Sequence, residues 1–214
     1  MKRITGTLCL FLAITAFVVG CESSNVSNPE ITQPNTQASD SVKLTESEVK
    51  DTLTGLIPKA VDIYGIFNGN GAFKSDPKKT IPGEEDYCLV IGQNGTSPVD
   101  IDNVKSIADL KKVVEDVFTK DMAGELFYRR YLETEDIGLP LYKDYEGQLY
   151  VNTRNGGHGW AEKFLIDTAK LKEQKDHVVE IELDKTTMDF PPEKLTISIA
   201  YVNDKWLMAS PLVQ

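Results

Sequence analysis

The stretch Leu141–Trp160, LYKDYEGQLYVNTRNGGHGW, decides how this chain is read. Leu141–Tyr145 opens as a short strand signal, Glu146-Gly147 supply a turn, and Gln148–Asn152 return with apolar side chains at alternate positions. The run then breaks into Asn155-Gly156-Gly157-His158-Gly159 and lands on Trp160. Before this stretch the apolar residues recur with a helical period, and after it they alternate. Helices followed by strands predict an α+β fold, with N-terminal helices packed on a C-terminal antiparallel meander sheet.

Upstream, Thr45-Glu46-Ser47-Glu48 has the form of a capping box. Val49, Leu53, Leu56, Ile57, Ala60, Val61 and Tyr64 follow at helical spacing, and Pro58 predicts a kink or a split after Leu56. Asn68-Gly69-Asn70-Gly71 stop the helix. Ala72–Asp86 reads as loop, Tyr87–Ile91 as one short buried strand, and Gly92–Asn103 as turns. Ser106 with Asp109 opens a second helix, and Thr119 with Asp121 opens a third that runs through Tyr131.

Downstream, the strands expected after Gln148–Asn152 are Phe164–Leu171, His177–Leu183, Leu195–Val202 and Lys205–Ser210, with Asn203-Asp204 as a tight hairpin turn. Nothing repeats internally.

The chain has 214 residues, enough for one domain or at most two. Residues 1–20 carry Lys2 and Arg3 and then the uncharged apolar run Leu8–Val19, which is too short to span a bilayer and has the length of a secretory signal. The run ends Val18-Val19-Gly20-Cys21, which resembles the lipobox of bacterial lipoproteins, with Val18 and Val19 in place of the usual leucine and small residue. That resemblance implies cleavage before Cys21, lipidation of its thiol, and a location on the outer face of the cytoplasmic membrane. Residues 22–41 are too polar to bury a core and read as a tether, which leaves 42–214 as a single α+β domain. Cys88 is then the one cysteine of the folded domain, placed in an apolar run beside Glu84, Glu85 and Asp86, as expected of an inert buried thiol.

Charge narrows the partners. Lys and Arg number 23 against 33 Asp and Glu, and removing Lys2 and Arg3 leaves 21 against 33, a mature net charge of −12. Such a surface opposes nucleic acid and anionic lipid and favours basic patches on proteins, so membrane contact is expected through the lipid anchor only.

Few residues suggest chemistry. His158 and His177 have no second ligand at metal spacing, so no metal or cofactor is expected. No nucleophile elbow and no phosphate-binding loop is present, and Asp100-Ile101-Asp102-Asn103 lacks the glycine and distal glutamate of a calcium loop. Glu84-Glu85 and Glu133-Glu135 read as surface carboxylates. The chain is therefore not expected to be an enzyme. Tyr150 and Trp160 either pack in the core or flank a groove as binding anchors, and the glycines around His158 would allow a partner close approach.

The order Leu126-Phe127, then Glu146-Gly147-Gln148-Leu149-Tyr150, then Gly156-Gly157-His158-Gly159-Trp160, and finally Lys205-Trp206 is similar to the IseA-type family. The likeness covers Ser106–Gln214, and Val42–Asn103 shares only a helix followed by loops. Members are small secreted or lipid-anchored inhibitors of D,L-endopeptidase autolysins. The resemblance implies a cell-wall hydrolase as partner, although no individual inhibitory residue of the family maps onto the chain; the docking surface expected from the residues themselves is Tyr150, Gly156, Gly157, His158, Gly159 and Trp160. The same helices-then-meander order also suits a cystatin-like cone that binds a small ligand or an envelope partner.

Overall fold

The computed structural model describes residues 42–68, 72–133, 138–154 and 160–213. The expected signal, Cys21 and the tether lie outside them. All described residues belong to one compact unit, Asp40–Gln214.

The first helix, α1, spans Glu46–Phe67. The capping box forms as expected: Thr45 Oγ1 accepts from Glu48 N at 3.3 Å, and Glu48 Oε2 accepts from Thr45 N at 2.8 Å. Those bonds from Thr45 hold the exposed Glu48 carboxyl below its ordinary range. Val49, Leu53, Ile57, Ala60, Ile63, Tyr64 and Phe67 form its buried face. The predicted break at Pro58 does not occur; the helix runs through it. Pro58 lies on the solvent side, so the carbonyl it strips of a partner stays open to water, while Leu56, Ile57 and Ala60 keep the other face continuous.

Ala72–Asp86, read as loop, carries β1 (Phe73–Ile81) and the start of β2 (Glu84–Gln93), which contains the expected Tyr87–Ile91 strand; the two form a hairpin turning at Pro82 and Gly83, whose φ is +78°. Asp76 pairs with Leu89 but Thr80 with Cys88, so Pro77, Lys78 and Lys79 bulge out of register. A proline and two lysines fit there because β1 is an edge strand.

Helix α2 (Ile107–Glu115) is capped by Ser106 Oγ, which accepts from Asp109 N at 3.1 Å, and α3 (Lys120–Ala123) by Thr119, both as expected. From Gly124 to Leu132 the chain then winds as a nine-residue π-helix, where a continued α-helix was expected. On this helix Phe127 stacks on Phe67 at 4.8 Å, and Tyr131, four residues on and so on the same face, approaches Phe67 at 5.6 Å.

Strands β3 (Tyr142–Tyr145) and β4 (Gln148–Asn152) do not continue into the strands that follow. They join the first hairpin in a four-stranded sheet of order β1-β2-β4-β3, while β5 (Glu162–Lys175), β6 (Val178–Thr187), β7 (Glu193–Val202) and β8 (Lys205–Met208) form a second, a plain antiparallel meander. The single expected meander divides because β2 occupies one edge of β4 and β3 the other, leaving no edge for β5. The Asn203-Asp204 turn forms as expected, with both residues left-handed at φ +50° and +62°.

One core joins these layers. Val179, Ile181, Leu183, Leu195, Ile197 and Ile199 line the inner face of the second sheet and meet α1 and the aromatic residues Phe118 and Phe127. Reciprocal backbone bonds from Thr119 N to Met208 O, 2.9 Å, and from Met208 N to Val117 O, 2.8 Å, tie the helices to β8. The outer face of the first sheet carries a second cluster of Ile81, Tyr87, Leu89 and Tyr150.

Candidate functional site

The alternation that builds β4 also decides where its aromatic residue goes. Leu149 and Val151 turn to the main core, so Tyr150 faces the other way. There it is buried, its ring edge-on to Tyr145 at 5.8 Å. Lys143 caps this cluster, lying over the Tyr87 ring at 4.4 Å and paired with Glu84. Tyr87 closes it by donating from its hydroxyl to Pro140 O at 2.5 Å. Tyr150 is packed within this cluster.

Trp160 belongs to the other cluster. It is half-buried, with its ring 5.2 Å from Tyr64 and 6.2 Å from Phe164. Its indole N–H donates to Glu162 O at 3.0 Å, so ring and backbone are fixed together. Tyr64 in turn sits edge-on to Phe118 and Phe127, and burial pushes its hydroxyl up to about 12. Trp160 is thus the outermost ring of an aromatic array that reaches back into the core. The structure does not bring Tyr150 and Trp160 together: they lie in different clusters. Gly156, Gly157, His158 and Gly159 lie outside the described residues.

Trp160 stands just before β5, and β5 is long. Gln174, near its far end, clasps the start of the domain: its Oε1 accepts from Leu44 N and its Nε2 donates to Leu44 O, both at 2.7 Å. The domain therefore begins beside one end of the second sheet and presents Trp160 at the other, at most ~46 Å away at ~3.3 Å per residue. His177 is exposed in the turn at the entering end, its carbonyl accepting from Tyr201 N at 2.7 Å.

The Trp160 end carries residues to which the sequence reading assigned no role. The turn between β6 and β7 exposes Met188 at 70% and Phe190 at 69%. Met188 N donates to Ala161 O at 3.2 Å, so this turn and the Trp160 segment are neighbours. The signal in the sequence is Met188-Asp189-Phe190-Pro191-Pro192, two large apolar residues in a turn where neither strand period needs them.

Elsewhere a cleft of about 800 Å³ opens between α2–α3 and the β7–β8 hairpin. Phe118, Met122, Val202 and Leu207 give it apolar walls, and Lys205 paired with Asp116 spans its rim. Among the described residues no group of three or more His, Cys, Asp or Glu is placed to hold a metal ion. Cys88 is buried and unbridged. No described helix is long and apolar enough to cross a membrane. Known protein-family models give no match to this chain, and no curated protein matches it either.

Proposed function

We propose that the mature protein is a lipid-anchored inhibitor on the outer face of the cytoplasmic membrane, held at Cys21, that docks to cell-wall D,L-endopeptidases and blocks their clefts. The observation that carries this reading is the polarity of the second sheet. The domain's first strand-facing residue, Leu44, is clasped by Gln174 at one end of β5, while Trp160 stands before the other end. A tethered inhibitor needs its docking end turned away from its anchor. The Tyr64–Phe164 bracket around Trp160 supplies the rigidity that keeps ordering costs low on binding. A net charge of −10 over the whole chain favours encounter with a basic rim. In this reading the protein binds and transforms nothing.

The test is direct. Mature protein added in molar excess slows release of peptidoglycan fragments by a purified D,L-endopeptidase of the host. Unchanged cleavage across the host's enzymes of that class sinks the reading. A second reading, a small-ligand carrier, is favoured by the cleft of about 800 Å³ beside Phe118 and Leu207. Ligand recovered from the purified protein, lost on Leu207→Trp, would select it.

A further inference from the structure

We propose that Met188 and Phe190, at the tip of the β6–β7 hairpin, are the anchor that this protein seats in an apolar, basic-rimmed cleft of the enzyme it docks to. The inference rests on the docking reading above and names the contact that carries it.

Two large apolar side chains stand next to each other in sequence space, separated by Asp189, and each is about as exposed as a polar surface residue, at 70% and 69%. Single exposed apolar residues are ordinary, but a pair at one tip is a patch in search of cover. The backbone follows the chain's other hairpin turns, in which Glu146 and Asp176 are left-handed too. Met188 holds φ +51°, a left-handed conformation that glycine or asparagine adopts readily and a long side chain does not. The turn is nonetheless well held: Phe190 N donates to Thr187 O at 3.1 Å, Met188 N to Ala161 O at 3.2 Å, and Pro191-Pro192 stiffen the way out. A firm tip with apolar side chains outward is preorganised for insertion.

The occupant follows from placement and charge. A bilayer is disfavoured by charge: Asp189 sits between the two apolar residues on a chain of net charge −10. A second copy paired tip to tip would set Asp189 against Asp189 in a desolvated contact. A cleft with apolar walls and a Lys or Arg at its rim accommodates all three residues at once. Trp160, whose neighbour Ala161 bonds to Met188, lies beside the same contact.

The test uses the mature chain from residue 21 with Cys21→Ser, so that no lipid confuses the readout, and a purified D,L-endopeptidase whose inhibition it follows alongside calorimetric binding. The double variant Met188→Ser/Phe190→Ser is expected to lose at least tenfold in affinity with an unchanged melting temperature. If the double variant proves unstable, Phe190→Ser alone, which leaves the left-handed residue untouched, is expected to lose several-fold. Wild-type binding with the variants within twofold overturns the anchor and leaves the inhibitor reading standing. No wild-type binding or inhibition overturns both. Binding of the lipid-free wild type to phosphatidylglycerol vesicles, or a concentration-dependent dimer that the double variant abolishes, also overturns the assignment in favour of that occupant.

Discussion

The amide of Met188 donates to the carbonyl of Ala161 across 3.2 Å. This one bond brings the exposed hairpin tip against the segment that the half-buried Trp160 anchors, so two features distant in sequence share one end of the second sheet. It also pins Met188 in a left-handed conformation at φ +51°. Replacing Met188 by glycine removes a penalty of about 1 kcal/mol, since the left-handed region costs glycine almost nothing. Met188→Gly is therefore expected to raise the urea midpoint slightly while weakening docking. A loss of stability in that variant counts against the strain argument.

Pro58 supplies a second stability test. It interrupts α1 without breaking it, and it lies on the solvent face. An interior proline costs roughly 3 kcal/mol relative to alanine, offset in part by the stiffness it lends the unfolded chain. Pro58→Ala is expected to stabilise the protein by about 1–2 kcal/mol, read from denaturant unfolding. Equal or lower stability would mean that the helix uses the bend.

Asp62 connects α1 to the loop that follows β2. Its carboxylate accepts from the Ser97 hydroxyl, and partial burial raises its pKa above 3.8, an effect only partly countered by the Val99 amide. A raised carboxyl favours its protonated form in the folded state. Its contribution is therefore complete below pH 3.8 and is lost as pH rises through the raised value. Asp62→Asn keeps an acceptor for Ser97 and removes the charge. The variant should melt higher than wild type at pH 7, with the gap closing on acidification. A gap that widens in acid contradicts the sign.

Much of the fold was legible because its signals are local. Thr45, Ser106 and Thr119 announce their helices by capping chemistry that needs no tertiary partner, and Asn203-Asp204 announce their turn in the same way. The β1 strand was not legible, because its pairing comes from β2 while its own residues, Pro77, Lys78 and Lys79, read as loop. The π-helix was hidden for a different reason: Leu126, Phe127 and Tyr131 fit the face of an α-helix equally well, so their spacing does not tell the two windings apart. At the candidate site, the sequence drew attention to the aromatic residues but not to their sides. Tyr150 alternates onto a covered face and Trp160 onto the end of the core, while Met188 and Phe190 stand out only once their exposure is known.

Tyr142 gives the most sensitive test of how the first sheet is fastened to α1. Its ring is buried between Phe67 and Phe73, edge-on to both at 6.0 and 5.7 Å, and its hydroxyl donates to Ile66 O at 2.6 Å. That carbonyl is in the last turn of α1, where no later amide of the helix is available, so the tyrosine acts as a cap from outside. Tyr142→Phe leaves a buried acceptor bare and is expected to cost about 1–2 kcal/mol at pH 7. The same burial raises the hydroxyl well above its ordinary 10.0, as it does for Tyr64 and Tyr128. Because the folded value is the higher one, this stability is whole below pH 10.0 and is lost above it, as the unfolded chain ionises first. Denaturant unfolding at pH 7 and at about pH 10.5 should therefore show a steep alkaline loss in wild type and a shallower one in Tyr142→Phe. Tyr64 and Tyr128 still contribute in that variant. Equal alkaline losses in the two proteins would show that Tyr142 ionises as freely when folded as when unfolded, and the cap would have to be assigned elsewhere.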